Sequence, residues 1–354
     1  MAYYFGWEAL VEVAFQEDQT TAADSGDYMG LAHLRSLSFT VNENTEYSTD
    51  IASGHGRNPN LAAKGVHEVT GTIELWMEDQ MGATMLDTWL LKWPFDYYNV
   101  AHDAAKWKIP EGTYASNELL STTIEVGHNK TGDIRVHQLV GCMVNSFTFS
   151  AAKGEKCIFT YNFMALSASS DNSSYTNGSA TRGTADPLGW HNVRIYYDAA
   201  GAMGTNIRTD FTAIDFTLDN GLIANYDLTV HTPERSARNF IPGQQIITGT
   251  FTTNKTDTAN LAWYDWLYSD ASAPYTPAET VAKRDIEVDL LNTAAPTTAN
   301  ILFKMYNCIV GNIPMDIDPE KVQELSIPYA CSYMSLTITS TDSTPVENWD
   351  HQVA

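Results

Sequence analysis

Val69-Thr-Gly-Thr-Ile73 and Ile247-Thr-Gly-Thr-Phe251 are one strand written twice, about 178 residues apart. In both, large apolar side chains alternate with small or polar ones at period two, the pattern of a strand with one buried and one wet face. Reading outward, the surroundings match as well. Phe39-Thr-Val precedes the first and Phe216-Thr-Leu the second, each followed by a long polar loop to Arg57 or Arg235 and then Gly65 or Gly243. Downstream, Trp89-Leu90 answers Trp266-Leu267, Ile124-Glu-Val126 answers Ile286-Glu-Val288, Cys142 answers Cys308, and Glu155-Lys156 answers Glu320-Lys321. Even the starts agree, Gly6-Trp7 with Gly189-Trp190. A match of this period is a duplicated domain. Duplication of a whole domain points to assembly.

The 354 residues are expected to divide into a first domain over 1–165, with an insertion at about 94–120, a Ser/Asn/Gly-rich linker over 166–189, a second domain over 190–340 and a tail over 341–354. A hydrophobic content of 44% with 11% aromatics is enough to bury a core in each copy. The net charge of −23 is shared evenly: residues 1–165 carry 21 acids and 10 bases and residues 166–354 carry 22 and 10, so −11 and −12. An acid excess in both copies argues against tight nucleic-acid binding, which needs a basic footprint. It is compatible with a surface past which nucleic acid slides, and equally with a saline habitat. Met1 to Phe15 carries Glu8 and Glu12 and no basic stretch, so it reads as an amphipathic strand or arm and not as a signal peptide. No apolar run approaches the ~20 residues that span a bilayer. A soluble chain made in a cytosol, without membrane insertion, is expected.

The fold class read from these patterns is mainly β: two tandem β-sandwich or barrel domains, each with one short flanking helix. Leu37 to Val41, Phe147 to Phe149, Phe159 to Phe163, Ile214 to Leu218 and Ser335 to Thr339 alternate as strands. Met85, Leu86, Trp89, Leu90 and Trp93 follow helical spacing, as do Leu261, Tyr264, Leu267 and Tyr268. The cysteines Cys142, Cys157, Cys308 and Cys331 form no metal spacing and read as small buried hydrophobes, with a disulfide within each copy left open.

With these residues in view, the chain resembles the tail tube proteins of tailed viruses, phage or archaeal, in the branch whose tube domain is duplicated within one polypeptide. The resemblance runs over most of residues 5 to 340. It is carried by a strand ending in Asn42-Glu43 or Asp219-Asn220, a polar loop ending in Gly56-Arg57-Asn58 or Glu234-Arg235-Ser236, then Gly65 or Gly243 and the V/I-T-G-T strand. It implies packed sheets joined edge to edge into rings, and rings stacked into a hollow virion tube, assembled in the host cytoplasm. Viral DNA and a tape measure protein would pass through without tight binding, and tail terminator and baseplate proteins would meet the ends. With two seats per chain, a homotrimer would give a pseudo-sixfold ring; six whole chains per ring, or a single chain whose two domains share one core, would defeat that reading. In relatives the long loop reaches a neighbouring subunit or ring, which makes Glu43, Glu46, Tyr47, Arg57, Asn220, Arg235 and Arg238 the candidate inter-subunit or inter-ring contacts. Glu74 is a candidate for the inner face.

No catalytic, cofactor or metal site is expected. The nine histidines are scattered, without HExxH or GxSxG. Asp316, Asp318 and Glu320 alternate but lack the rest of an EF-hand, and read as an acidic turn. The second reading is a carbohydrate-binding or adhesive β-sandwich protein, whose surface would be the aromatic insertion with Phe95, Tyr97, Tyr98, Trp107 and Tyr114. Those rings can equally pack the insertion onto its own domain.

Overall fold

The structure, a computed structural model, describes residues 9–16, 18–23, 28–31, 33–43, 45–48, 61–77, 90–91, 93–95, 119–130, 133–171, 187–199, 211–226, 236–254, 283–291, 300–311 and 324–339. The first copy supplies β1 (Ala9–Phe15), β2 (Met29–Gly30), β3 (Leu34–Asn42), β4 (Thr45–Ser48), β5 (Leu61–Lys64), β6 (Glu68–Leu75), β7 (Thr122–Lys130), β8 (Asp133–Ala152), β9 (Ile158–Ala165) and β10 (Ser167–Asp171). The second supplies β11 (Val193–Ala199), β12 (Phe211–Asp219), β13 (Ile223–Asn225), β14 (Asn239–Ile241), β15 (Ile246–Asn254), β16 (Arg284–Leu291), β17 (Asn300–Val310), β18 (Glu324–Cys331) and β19 (Tyr333–Thr339). The chain is mainly β, as expected.

Each copy folds the same way. Its long central strand, β8 or β17, belongs to two sheets. The first half of β8 pairs with β7 and β10, and β7 with β1; the first half of β17 pairs with β16 and β19, and β16 with β11. The later part of β8 then joins β9, β6 and β3, while the end of β17 joins β18, β15 and β12. The change of sheet is made at a bulge. Between Thr122/Ile124 and Cys142/Leu139, and again between Arg284/Ile286 and Cys308/Met305, the long strand carries one extra residue. Gly141 (φ 68°) and Asn307 (φ 51°) hold the left-handed conformation there, and a bulge with one residue in that region bends and re-aims the strand. The Gly141 N–H donates to Gln16 Oε1 at 2.8 Å and that of Asn307 to Asp285 Oδ1 at 2.9 Å, so neither amide is stranded by the bend.

The V/I-T-G-T glycine has a packing cause. Gly71 stands opposite Phe163 and Gly249 opposite Tyr329, and a Cβ on either would strike the facing ring. An aromatic laid across a glycine keeps the strand covered where it lacks a side chain of its own.

Two expectations about organisation change. Ser167 to Asp171, assigned to the linker, is strand β10 on β8, the counterpart of β19. Its Ser-Ala-Ser-Ser-Asp sequence has no apolar alternation because a half-wet edge strand is held by its backbone ladder. A separate core in each copy gives way to one buried cluster that runs through both. Strand β12 pairs with β8 along its length, and Phe149 lies 5.3 Å from Phe216 and 5.9 Å from Phe303, ring centre to ring centre. Of the two helices, the first falls mostly outside the described residues, though Leu90, Leu91 and Trp93 are buried in the core, with Trp93 Nε1 donating to the Cys142 carbonyl at 3.1 Å. The second, at 261–268, lies wholly outside them.

Candidate assembly site

The duplication places eight strands in one continuous run, β3-β6-β9-β8-β12-β15-β18-β17, the second four repeating the first. Its middle is a seam between copies. There Phe216 faces Phe149, Leu218 faces Phe147, and the Thr148 and Thr217 hydroxyls meet at 2.9 Å. On the core side Ile214, Phe216 and Leu218 are all but fully buried.

Strand β3 is the first copy's version of β12, and its outer edge has no strand beside it among the described residues. The registers make Leu37, Phe39 and Val41 the counterparts of Ile214, Phe216 and Leu218. Yet Leu37 and Phe39 are only partly buried and Val41 is 43% exposed, against 0% for Leu218. A hydrophobic edge strand is a template for pairing.

The long loop behaves in a parallel way. In the second copy it includes the hairpin β13–β14, which lies on the first copy: Ala237 and Phe240 join Leu119, Met143 and Leu166 in a separate buried cluster. Polar contacts fix the crossing. The Phe240 N–H donates to Gln19 Oε1 at 2.9 Å, Tyr226 Oη donates to Glu68 Oε1 at 3.3 Å, and Ser236 bridges His67. Burial, and then the neighbouring Glu68 carboxylate, raise the Tyr226 pKa and keep the phenol protonated as the donor. In the first copy the same loop forms β4 and β5. The counterpart of the covered Met143 is Ile309, which is 40% exposed.

The sequence-derived contact residues are scattered over these features. Glu43 is exposed at the end of β3, and Glu46 and Tyr47 lie on β4. Arg238 is exposed beside β14, its N–H donating to the Asn225 carbonyl at 2.8 Å. Asn220 is buried and committed within the chain: its Nδ2 donates to the carbonyls of Pro94 (2.8 Å) and Val144 (3.1 Å), and its Oδ1 accepts from Gln245 at 3.3 Å. Arg57 and Arg235, the Asp316 to Glu320 turn and the body of the aromatic insertion lie outside the described residues. Sequence reasoning missed Met143, Phe240 and Ile309. Aligning the copies at Cys142 and Cys308 would have paired Met143 with Ile309, but nothing in either residue type signals that one is covered.

The wet face of the eight-stranded run is rich in hydroxyls. Thr72 donates to Asn162 at 2.8 Å and Asn162 to Ser146 at 3.0 Å, a ladder across three strands. Glu74 shares this face, half-exposed, with Arg35 at 3.6 Å. Asp215 is there too, and burial raises its carboxyl above the ordinary range against the opposing pull of the Thr250 backbone. Among the described residues no group of His, Cys, Asp and Glu is arranged to hold a metal ion, and no helix is long and apolar enough to cross a membrane.

The family model of the phage tail tube protein matches residues 10–331. No curated protein matches the chain. The match spans both copies and nearly every described strand, and the chain belongs to the phage tail tube protein family, a family of structural components of the virion tail.

Proposed function

From that membership we propose that the chain is the major subunit of a hollow tail tube, in which three copies close a ring by repeating between chains the seam that β8 and β12 make within one. Strand β3 carries the proposal. It has the sequence pattern of β12, but its edge and Val41 are open where the edge and side chain of Leu218 are covered. The described run ends at β17, where Ile309 is 40% exposed while its counterpart Met143 is buried under the second-copy loop; 312–318, which match the seam stretch of β8, lie outside the described residues. A neighbouring chain would satisfy both at once, with its β17 side against β3 and the β4–β5 loop of this chain over the neighbour's Ile309.

Three chains of eight strands each give a closed sheet with no unpaired edge. The core shared between copies overturns the expected ring of two separate seats per chain joined by a flexible linker. The ring then rests on repetition of a rigid seam, which sets the angle between seats better than a linker does. The hydroxyl-rich wet face would form the lumen, offering DNA few cationic footholds. A tape measure protein in the lumen, and terminator and baseplate proteins at the ends, would complete such a tube.

Electron microscopy of the purified full chain, with class averages of end-on rings, tests this. Three chains and six similar lobes per ring are expected, and Val41→Asp should give folded chains without rings. Six whole chains per ring, or tubes formed normally by Val41→Asp, would overturn it.

A further inference from the structure

Cys308 and Cys331 face each other across β17 and β18. The register Val310↔Tyr329, Ile309↔Ala330 continues to this pair, and the sulfurs lie 2.7 Å apart, the Cys331 thiol donating to Cys308 Sγ. Cys308 in turn donates to the Met305 carbonyl at 3.4 Å. Both are free thiols in this structure, Cys308 buried and Cys331 partly exposed. Directly opposed residues on antiparallel strands have Cα atoms ~4.5 to 5.5 Å apart, within the range a disulfide spans.

The first copy lacks this pair. Cys142 is the counterpart of Cys308, but the counterpart of Cys331 is Ala165, since Val69 faces Ala165 where Ile247 faces Cys331. Cys157 adjoins the far end of β8, where Ser150 faces Ile158. At ~3.3 Å per residue it stands on the order of 25 Å along the strand from Cys142.

We propose that Cys308 and Cys331 are an oxidisable pair, forming a disulfide that pins the end of β17 to β18 in the second copy alone. The oxidant is a low-molecular-weight disulfide. Cys331, the more accessible sulfur, attacks it as the thiolate, forms a mixed disulfide and releases one small thiol. Cys308 then gives up its proton to solvent and attacks Cys331 Sγ, expelling the second small thiol. Two protein thiols are oxidised and one small disulfide is reduced to two thiols. Burial, and then the adjoining Cys308, hold the Cys331 pKa high, so thiolate is scarce at neutral pH and exchange quickens as pH rises. The bond would stiffen the edge strand that the ring offers to the next chain, a consequence that rests on the ring, whereas the bond itself does not.

The test uses the full chain, purified reduced and unassembled. After incubation with excess oxidised glutathione at mildly alkaline pH, the protein is unfolded, alkylated with N-ethylmaleimide and weighed intact. Two of the four cysteines should escape alkylation, peptide mapping should recover a 308–331 link, and the melting temperature should rise by about 5 °C, reversibly with dithiothreitol. Cys331→Ala should abolish the protection and still fold, because alanine fills that position in the first copy. Alkylation of all four cysteines, a link between other cysteines or between chains, or a glutathione adduct left on Cys331 would overturn the proposal. Failure of the chain to form tubes leaves the mass result unaffected.

Discussion

Strands β3 and β12 have the same apolar pattern, pair with the same V/I-T-G-T strand in the same register, and meet different fates. In β12 the side chains of Phe216 and Leu218 are buried against Phe149 and Phe147 of the first copy; in β3, Phe39 is half-covered and Val41 is 43% exposed. Met143 and Ile309 repeat the contrast one layer out, under the crossing loop and bare of it. The difference does not lie in the strands themselves. Within the chain the second copy covers one edge of the first, and the edge at β3 has no strand beside it among the described residues.

The sharpest break of this comparison is to cut the same ring from both strands. Phe216→Ala should cost about 3 to 5 kcal/mol in urea unfolding of the unassembled chain, because it empties a packed core position. Phe39→Ala should cost less there, about 1 to 2 kcal/mol, since Phe39 is only partly buried against the core, yet it should abolish rings. Equal losses in the unassembled chain would mean that β3 is no open edge.

The crossing loop gives a smaller effect of the same kind. Met143→Ala should cost about 2 to 3 kcal/mol through loss of its packing with Leu166 and Phe240, and Ile309→Ala less than about 1 kcal/mol. Deleting Glu46 to His55 removes most of β4 and its pairing with β5, a two-stranded ladder apart from the main sheet; the shorter connection changes closure entropy only slowly, so the unassembled chain should stay nearly as stable while ring formation fails. Rings from the deletion variant would show that the first-copy loop has no acceptor on a neighbour.

How much of this was legible follows from which residues carry periodic signals. Period-two alternation marks β3, β6, β9, β12 and β19 in the sequence, and the offset between copies matches β7 with β16 and β8 with β17. Strand β10 was not legible, because Ser167 to Asp171 is held by hydrogen bonds to β8 that leave no trace in side-chain type. Nor was the shared core. Phe216 looks the same in sequence whether it packs on its own copy or across the seam. The candidate contacts were chosen as polar loop residues, and that choice swept in Asn220, whose amide serves buried carbonyls. The crossing is made by Phe240 and Ala237, apolar residues at the end of a loop read as a polar contact with another subunit or ring.

The smallest effect comes from a half-buried position on the seam where the copies differ in charge. Asp215 in β12 occupies the position of Ser38 in β3, each opposite the threonine after the motif glycine, Thr250 or Thr72. Burial raises the Asp215 pKa, so the folded chain holds that proton more tightly than the unfolded chain. At pH below the ordinary carboxyl value both states are protonated and nothing is lost. As pH climbs through that value and then through the raised one, the unfolded state releases its proton first and the folded state loses stability. Asp215→Ser, which installs the first copy's residue, should therefore match the parent chain in acid and exceed it at neutral pH. The gain should stay below about 1 kcal/mol, because the carboxylate is still half in water. Urea midpoints measured from acid to neutral pH read it directly. A variant equally less stable at every pH would mean that Asp215 is held by an interaction and not penalised by burial, and the charge difference between the two strands would then be a stabilising feature of the seam.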